Sequence, residues 1–384
     1  MCVSIKYVKY GICLLLAVCF GVGQASAYSA QAYAVLDADT GILLDGGNEK
    51  EQLPMASTTK IMTGLLAAES GNLQQIITVS AASAGVEGSS MYLKQGEQLP
   101  LQEVLYGLML CSGNDAAECI AENLGGRNAF VRRMNERAKQ LGLHQTHFDN
   151  PSGLDGKTHY TTAQELAQLA AAALKNPVFA QVVATQSHTS GNRTMVNHNK
   201  LLRMYPDAVG IKTGYTMTAG RCLVSAAKRE GRTVVAVTLH DSDDWNDHMQ
   251  MLDAAFASLH AQTAARAGGS AQTISVQTGK KQQVQAVYQE DLTAPLFQGE
   301  QTEMRISCAD FLYAPVQAGT VCGEAQLVCN GAVLDETALI CAESVALDDA
   351  QEDTSLLEKL RHWWDTVRKR EVIHENYSCL RTES

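Results

Sequence analysis

Residues 55–67 read MASTTKIMTGLLA, and this stretch decides how the rest of the chain is read. Pro54 and Ala56 precede Ser57, and an apolar run with helical spacing follows Lys60, so Ser57 is predicted at a helix start. Residues three apart share a helix face, which hangs the Lys60 amine over the Ser57 hydroxyl. A serine hydroxyl becomes a nucleophile when a neighbouring base takes its proton. Lys60 is such a base if it is neutral, and a helix N-terminus or a nearby cation lowers its pKa. Taken alone, Ser-x-x-Lys is also what a Ser cap followed by a surface lysine looks like.

Two further stretches change that balance. Ser112-Gly113-Asn114 lies between two helical patterns, on a loop able to face the first motif. There Ser112 can relay a proton toward the leaving amine and Asn114 can hold the substrate amide. Lys212-Thr213-Gly214 sits on a β-rich stretch, where Lys212 and Thr213 offer donors to a substrate carboxylate. Gly214 admits a close backbone approach. The Tyr215 amide, with that of Ser57, is placed to form an oxyanion hole. Each motif has a bland reading as a turn or corner. The order SxxK, SxN, KTG is the set of penicillin-binding proteins and β-lactamases.

Outward from these motifs, residues 32–45 (AYAVLDADTGILLD) read as two strands around a turn at Asp39-Thr40-Gly41. Helical spacing dominates residues 57–184, and strand signals return at residues 221–227 and 233–239. Strands, helices, then strands predict an α+β domain: a mixed sheet whose two ends are separated by a large helical insertion. Residues 264–270 (AARAGGS) read as a linker, and residues 272–346 as a small all-β domain. Residues 354–371 have the pattern of an amphipathic helix. Leu356, Leu357, Leu360, Trp363, Trp364 and Val367 fall on one face, opposite Lys359, Arg361, Arg368, Lys369 and Arg370. That pattern predicts an interfacial helix on an anionic membrane surface.

The chain of 384 residues is 46% hydrophobic and 18% charged, enough for a sizeable core. Its net charge of −11 argues against a nucleic-acid partner. Residues 1–27 read as a signal peptide, with Lys6 and Lys9, an apolar run from Gly11 to Val22, and Ala25-Ser26-Ala27 as a small-residue cleavage site. Export to the outer face of the cytoplasmic membrane is therefore expected. The eight remaining cysteines contain no CxxC pair, so a zinc ribbon has no support. Bridges among Cys308, Cys322, Cys329 and Cys341, or buried free thiols, are both compatible with the spacing. His144 and His147 lack the spacing and Glu of HExxH, so no metal or other cofactor is expected.

The quoted motifs, with FDNPSGLD (148–155), HYTTAQELA (159–167), NHNKLL (197–202) and GIKTGYTMTAGRCLVSAA (210–227), resemble the serine D-Ala-D-Ala carboxypeptidase family, the low-molecular-mass penicillin-binding proteins. The likeness spans about residues 28–260 of a catalytic domain expected at 28–262, and YAPVQAGTVCGEAQLV (313–328) resembles the family's C-terminal β domain more loosely. The resemblance implies a β-lactamase/transpeptidase-like fold and removal of the terminal D-alanine from peptidoglycan stem peptides, with β-lactams as inhibitors. It implies Ser57 as acyl-ester nucleophile, Lys60 as proton acceptor, Ser112 as second active serine and Lys212 as the substrate-carboxylate contact. The extra cysteines, Cys111 included, are a departure expected to stay clear of the motif residues. A class A β-lactamase would also need a carboxylate for the deacylating water. No Glu-x-x-Leu-Asn segment follows the second motif, since Glu165 precedes Leu166 and Ala167 inside a helix. A penicillin sensor that acylates without turnover would carry the same residues.

Overall fold

The computed structural model describes residues 28–348 and 360–364. The chain opens with the hairpin β1 (Ala32–Asp37) and β2 (Leu43–Gly47), then a 3-10 turn at Ala56–Thr59 that runs into α1 (Lys60–Ala68). The insertion follows: β3 (Ile76–Thr78), β4 (Gln98–Pro100), α2 (Leu101–Leu110), α3 (Asn114–Asn123), α4 (Arg127–Gln140), α5 (Ala163–Leu174) and α6 (Pro177–Ala184). A hairpin of β5 (Ser187–Ser190) and β6 (Arg193–Val196) and the short α7 (Leu201–Met204) lead back to β7 (Ala208–Thr216), β8 (Gly220–Arg229) and β9 (Arg232–Leu239). α8 (Asp244–Ala257) closes the domain.

The five strands order as β2-β1-β9-β8-β7. Every neighbouring pair is antiparallel, so the sheet is mixed in chain origin and not in direction. Both faces are covered, as the alternation along β1 and β9 requires. Ala34, Leu36, Val235 and Val237 join the large core with the helices of the insertion. Tyr33, Val35, Val234 and Ala236 join a second core with Met251 and Leu252 of α8. α1 is apolar nearly all round because it runs through the middle of the first core. A Cβ on Gly64 would stand 3.0 Å from Met109 Sδ and 3.1 Å from Phe179, which is how closely α2 and α6 pack on it.

The second domain begins earlier than the expected residue 272. β10 (His260–Ala265) is already a strand, paired with β13 (Leu292–Leu296). Its text, HAQTAA, lacks apolar alternation because it is largely exposed, and backbone pairing alone makes it a strand. With β11 (Ser270–Gln277), β12 (Gln283–Tyr288), β14 (Thr302–Cys308), β15 (Phe311–Tyr313), β16 (Val321–Cys329) and β17 (Ala332–Cys341), it forms an all-β unit. The six-stranded sheet orders as β14-β16-β17-β12-β11-β15. The seven described cysteines are free thiols, and Cys379 lies outside the described residues.

Arg232 joins the domains. Almost fully buried, it donates to Asp37 Oδ2 at 2.6 Å and to Glu300 Oε1 at 2.7 Å, and it lies over the Phe297 ring. Asn330 of the β domain donates to the Thr40 carbonyl at 2.7 Å.

Candidate active site

The 3-10 turn sets the first motif. Thr58 Oγ1 donates to the Met55 carbonyl at 2.6 Å, and Thr59 Oγ1 to the Ala56 carbonyl at 2.8 Å. Both threonines are thereby turned back into the protein, and Ser57 and Lys60 project together. Ala56 holds a left-handed φ of 47° and Ser112 one of 58°. Such conformations cost a non-glycine residue about 1–3 kcal/mol and gather at functional sites.

Lys60 is fully buried, and its side-chain nitrogen has three polar neighbours. They are Ser57 Oγ at 2.9 Å, Asn114 Oδ1 at 2.7 Å and the Ser152 carbonyl at 2.5 Å. Burial holds the lysine well below its ordinary pKa, and the Lys212 charge pushes it the same way; Asp115 and Glu118 pull it back up. Asn114 is fixed at both ends, because its Nδ2 donates to the Glu87 carbonyl at 2.6 Å. Asp115, the next residue, gathers the adjoining loop. It accepts from Ser90 Oγ at 2.7 Å, the Met91 amide at 3.1 Å and the Leu93 amide at 3.0 Å.

β7 forms the opposite wall. Lys212 is buried, donates to the Thr213 carbonyl at 2.8 Å, and is pushed down to about 7 by burial. Gly214 lies on the 3-10 turn. A Cβ there would come within 3.1 Å of the Ser57 amide nitrogen and 3.2 Å of the Met55 carbonyl oxygen. Tyr215 follows with its side chain exposed. The structure thus brings Ser57, Lys60 and Asn114 into direct contact, with Gly214 against the Ser57 amide. Ser112 is buried two residues before Asn114, at the end of α2.

The expectation that the cysteines keep clear of the motifs is corrected at β8. Cys111 and Lys212 act on each other's ionisation only electrostatically. Cys222 is the register partner of Gly214 on β8.

Sequence reading assigned no role to the 149–155 loop. Asn150 Oδ1 accepts from the amides of Ser152, Gly153 and Leu154 at 3.1, 2.7 and 3.2 Å, folding the loop so that the Ser152 carbonyl meets Lys60. A Cβ on Gly153, whose φ is 91°, would fall 1.9 Å from the Ala56 carbonyl oxygen. His159 braces the loop from behind. Its Nδ1 accepts the Asp149 amide at 3.0 Å, so Nε2 carries the proton and donates to Thr59 Oγ1 at 2.7 Å. Burial pushes this histidine down to about 4, so the neutral tautomer persists. The Asn-Pro-Ser-Gly turn text was the available signal. Glu165 is occupied elsewhere, accepting from the Gln145 amide and from Thr146 Oγ1.

The fold and this serine–lysine arrangement define an active-site serine hydrolase of the penicillin-recognising kind. Residues 21–243 match the family model of D-alanyl-D-alanine carboxypeptidases, and residues 261–347 match that of the C-terminal domain of penicillin-binding protein 5. The chain belongs to the serine D-alanyl-D-alanine carboxypeptidase family. It is 32% identical over 336 residues to the D-alanyl-D-alanine carboxypeptidase DacF of Bacillus subtilis, covering 83% of this chain and 86% of that one. Penicillin-binding protein 5 of Haemophilus influenzae superposes with a TM-score of 0.62 at 25% identity, over 83% of this chain and 98% of the other. A D-alanyl-D-alanine carboxypeptidase structure from Mycobacterium tuberculosis gives 0.58 at 36% identity, over 60% and 92%.

Proposed function

We propose that this enzyme removes the terminal D-alanine from peptidoglycan stem peptides through an acyl-enzyme on Ser57. The observation that carries the reading is the buried Lys60 amine, 2.9 Å from Ser57 Oγ and held well below its ordinary pKa. A neutral Lys60 takes the Ser57 proton as Oγ attacks the penultimate D-alanine carbonyl. The Ser57 and Tyr215 amides receive the oxyanion. Ser112 passes the proton to the departing D-alanine nitrogen, and water then hydrolyses the ester. Asn114, held between Lys60 and the Glu87 carbonyl, positions the lysine and borders the substrate amide. The substrate's terminal carboxylate meets Lys212 and Thr213, and Gly214 leaves room for its backbone. A β-lactam enters the same way, but its leaving nitrogen stays tethered, so the ester persists.

The test has two parts. Intact-mass analysis after penicillin treatment should show one adduct on the peptide carrying Ser57, and a D-Ala-D-Ala peptide should release D-alanine in a penicillin-sensitive manner. An adduct surviving in Ser57→Ala overturns the nucleophile assignment. Acylation without D-alanine release would instead make the protein a penicillin sensor.

The cellular setting is part of the proposal. Residues 1–27 serve as a signal peptide cleaved after Ala27, and the C-terminal segment holds the enzyme on the outer face of the cytoplasmic membrane. Leu360, Trp363 and Trp364 are exposed within the helical residues 360–364, which supports that reading; the rest of 354–371 lies outside the described residues. No single described helix is long and apolar enough to cross a membrane.

A further inference from the structure

Where β9 gives way to α8, residues 241–247 read DSDDWND. Asp243 and Asp244 stand at the helix start, where the helix dipole favours carboxylates, and Asp244 pairs with Arg221. Asp247 shares that first turn and Asp241 Oδ1 accepts the Asp243 amide at 3.0 Å, but neither carboxylate is in an ion pair among the described residues. Asp241 and Asp247 are 3% and 4% exposed. Both face Ser29, near the start of the described chain. The Ser29 amide donates to Asp247 Oδ2 at 2.6 Å, and its hydroxyl oxygen lies 2.6 Å from Asp241 Oδ1 and 2.9 Å from Asp247 Oδ2. One hydroxyl proton serves only one carboxylate at a time. The second oxygen of Asp241 is buried without any hydrogen-bond partner. Arg221 is the cation at this corner, but its ion pair is with Asp244 and Asp241 feels its charge only at longer range, so Asp241 and Asp247 form a buried acidic pair with no ion-pair partner of their own among the described residues. Buried charge is ordinarily paired. No described group of three or more His, Cys, Asp or Glu has the arrangement of a metal site.

The chain itself can supply the cation. Tyr28 is fixed beside the pair: its ring meets Tyr33 of β1 edge-on at 4.9 Å, and it packs on the core beneath α8. Its backbone nitrogen is three covalent bonds from the Ser29 nitrogen, which puts it at most about 6 Å from Asp247 Oδ2. While Ala27 is attached, that nitrogen is a neutral amide. Hydrolysis of the Ala27–Tyr28 bond adds water, leaving a carboxylate on Ala27 and an amine on Tyr28 that takes a proton at neutral pH.

We propose that Asp241 and Asp247 are the binding site for the α-ammonium of Tyr28, so that removal of the leader delivers the missing charge and locks the entry to β1 against α8. This rests on the export reading given above. It makes the processed enzyme more stable than the same polypeptide with its leader junction intact.

The experiment compares chains that begin at Tyr28 with chains that retain Ala27 as one extra residue, each with native Asp241 and Asp247 and with Asp241→Asn/Asp247→Asn. With the native pair, the extra residue should lower the melting midpoint by about 2–4 °C. In the Asn background the two starts should melt together. A second readout does not depend on stability. The Tyr28 amine should titrate above the ordinary range of about 7.7–8.0, and so be acylated several-fold more slowly near neutral pH than in an unstructured peptide. Equal melting of the two starts with the native pair, or ordinary amine reactivity, overturns the ion pair. The N-terminal mass of the exported protein is read separately: a start other than Tyr28 overturns the processing site, whatever the engineered chains do.

Discussion

Lys60 and Lys212 are both buried amines, and the reaction asks opposite things of them. In the proposed mechanism Lys60 works neutral and Lys212 works charged. In the free enzyme Lys60 is held far below its ordinary pKa, while Lys212 sits near 7 because burial disfavours its charge. As pH rises above about 7, Lys212 loses its proton and with it the attraction for the substrate carboxylate. The expected kcat/KM profile therefore falls above about pH 7, whereas kcat falls later, because a bound carboxylate keeps Lys212 protonated. Arginine stays charged throughout, so Lys212→Arg should lose the falling limb while keeping some activity. D-Alanine release measured from about pH 5 to about pH 10 checks this; an unchanged falling limb in Lys212→Arg would assign it to another group. At this scale the sequence was informative wherever a side chain carries the chemistry. Ser57, Lys60 and Asn114 were legible and stand in contact. The Ser152 carbonyl was not, because any residue has a carbonyl and only the fold of the Asn150 turn aims this one at Lys60. Cys222 opposite Gly214 was illegible for a related reason: the register of β7 on β8 decides which residues stand side by side.

Among the elements, α8 shows how a polar group can be built into a core. His248 is fully buried between α8 and the sheet, its Nδ1 2.6 Å from Ser225 Oγ on β8 and its Nε2 2.9 Å from Thr238 Oγ1 on β9. Burial pushes it down to about 3. In the unfolded chain it titrates near 6.5, so below that pH the unfolded state binds a proton that the folded state refuses. The stabilisation is complete above about 6.5 and is lost toward about 3, at up to about 1.4 kcal/mol per pH unit. His248→Gln, which keeps polar contacts but cannot titrate, should be less stable near neutral pH and show a shallower fall on acidification. Urea midpoints near pH 7 and near pH 4 give the comparison, and parallel falls in both proteins would remove His248 from the account. Element types followed the hydrophobic period well, as α2 and α5 illustrate. β10 escaped because an exposed strand held by backbone pairing leaves no period to read.

On the scale of the whole molecule, two joints relate the catalytic cleft to its surroundings. Arg232, shared by Asp37 and Glu300, ties the β domain to the interior strands β1 and β9 of the catalytic sheet, and removing one member of such a buried group typically costs about 3–5 kcal/mol. Beyond the β domain, the C-terminal segment carries five basic residues beside its tryptophans. Anionic lipid adds about 1 kcal/mol for each basic residue near the surface. The processed enzyme should therefore float with anionic vesicles, and a chain ending at Asp353 should not. Equal flotation of the two would mean that the helix is not the anchor.

The register of the catalytic sheet also sets a timetable. β1 lies between β2 and β9, pairing Val35 with Ala236, so the centre of the sheet cannot close until the chain is present through Leu239. At about 5–20 residues per second, ribosomal synthesis needs roughly ten to forty seconds to span that interval. Until then the hairpin has one bare edge, the α1 helix lacks the sheet beneath it, and Gly214 has not arrived against Ser57. Pairing so distant in sequence is slow to form, which keeps the young chain open and threadable while it is being made. A cleft assembled from both ends of its domain stays incomplete until the polypeptide is nearly whole.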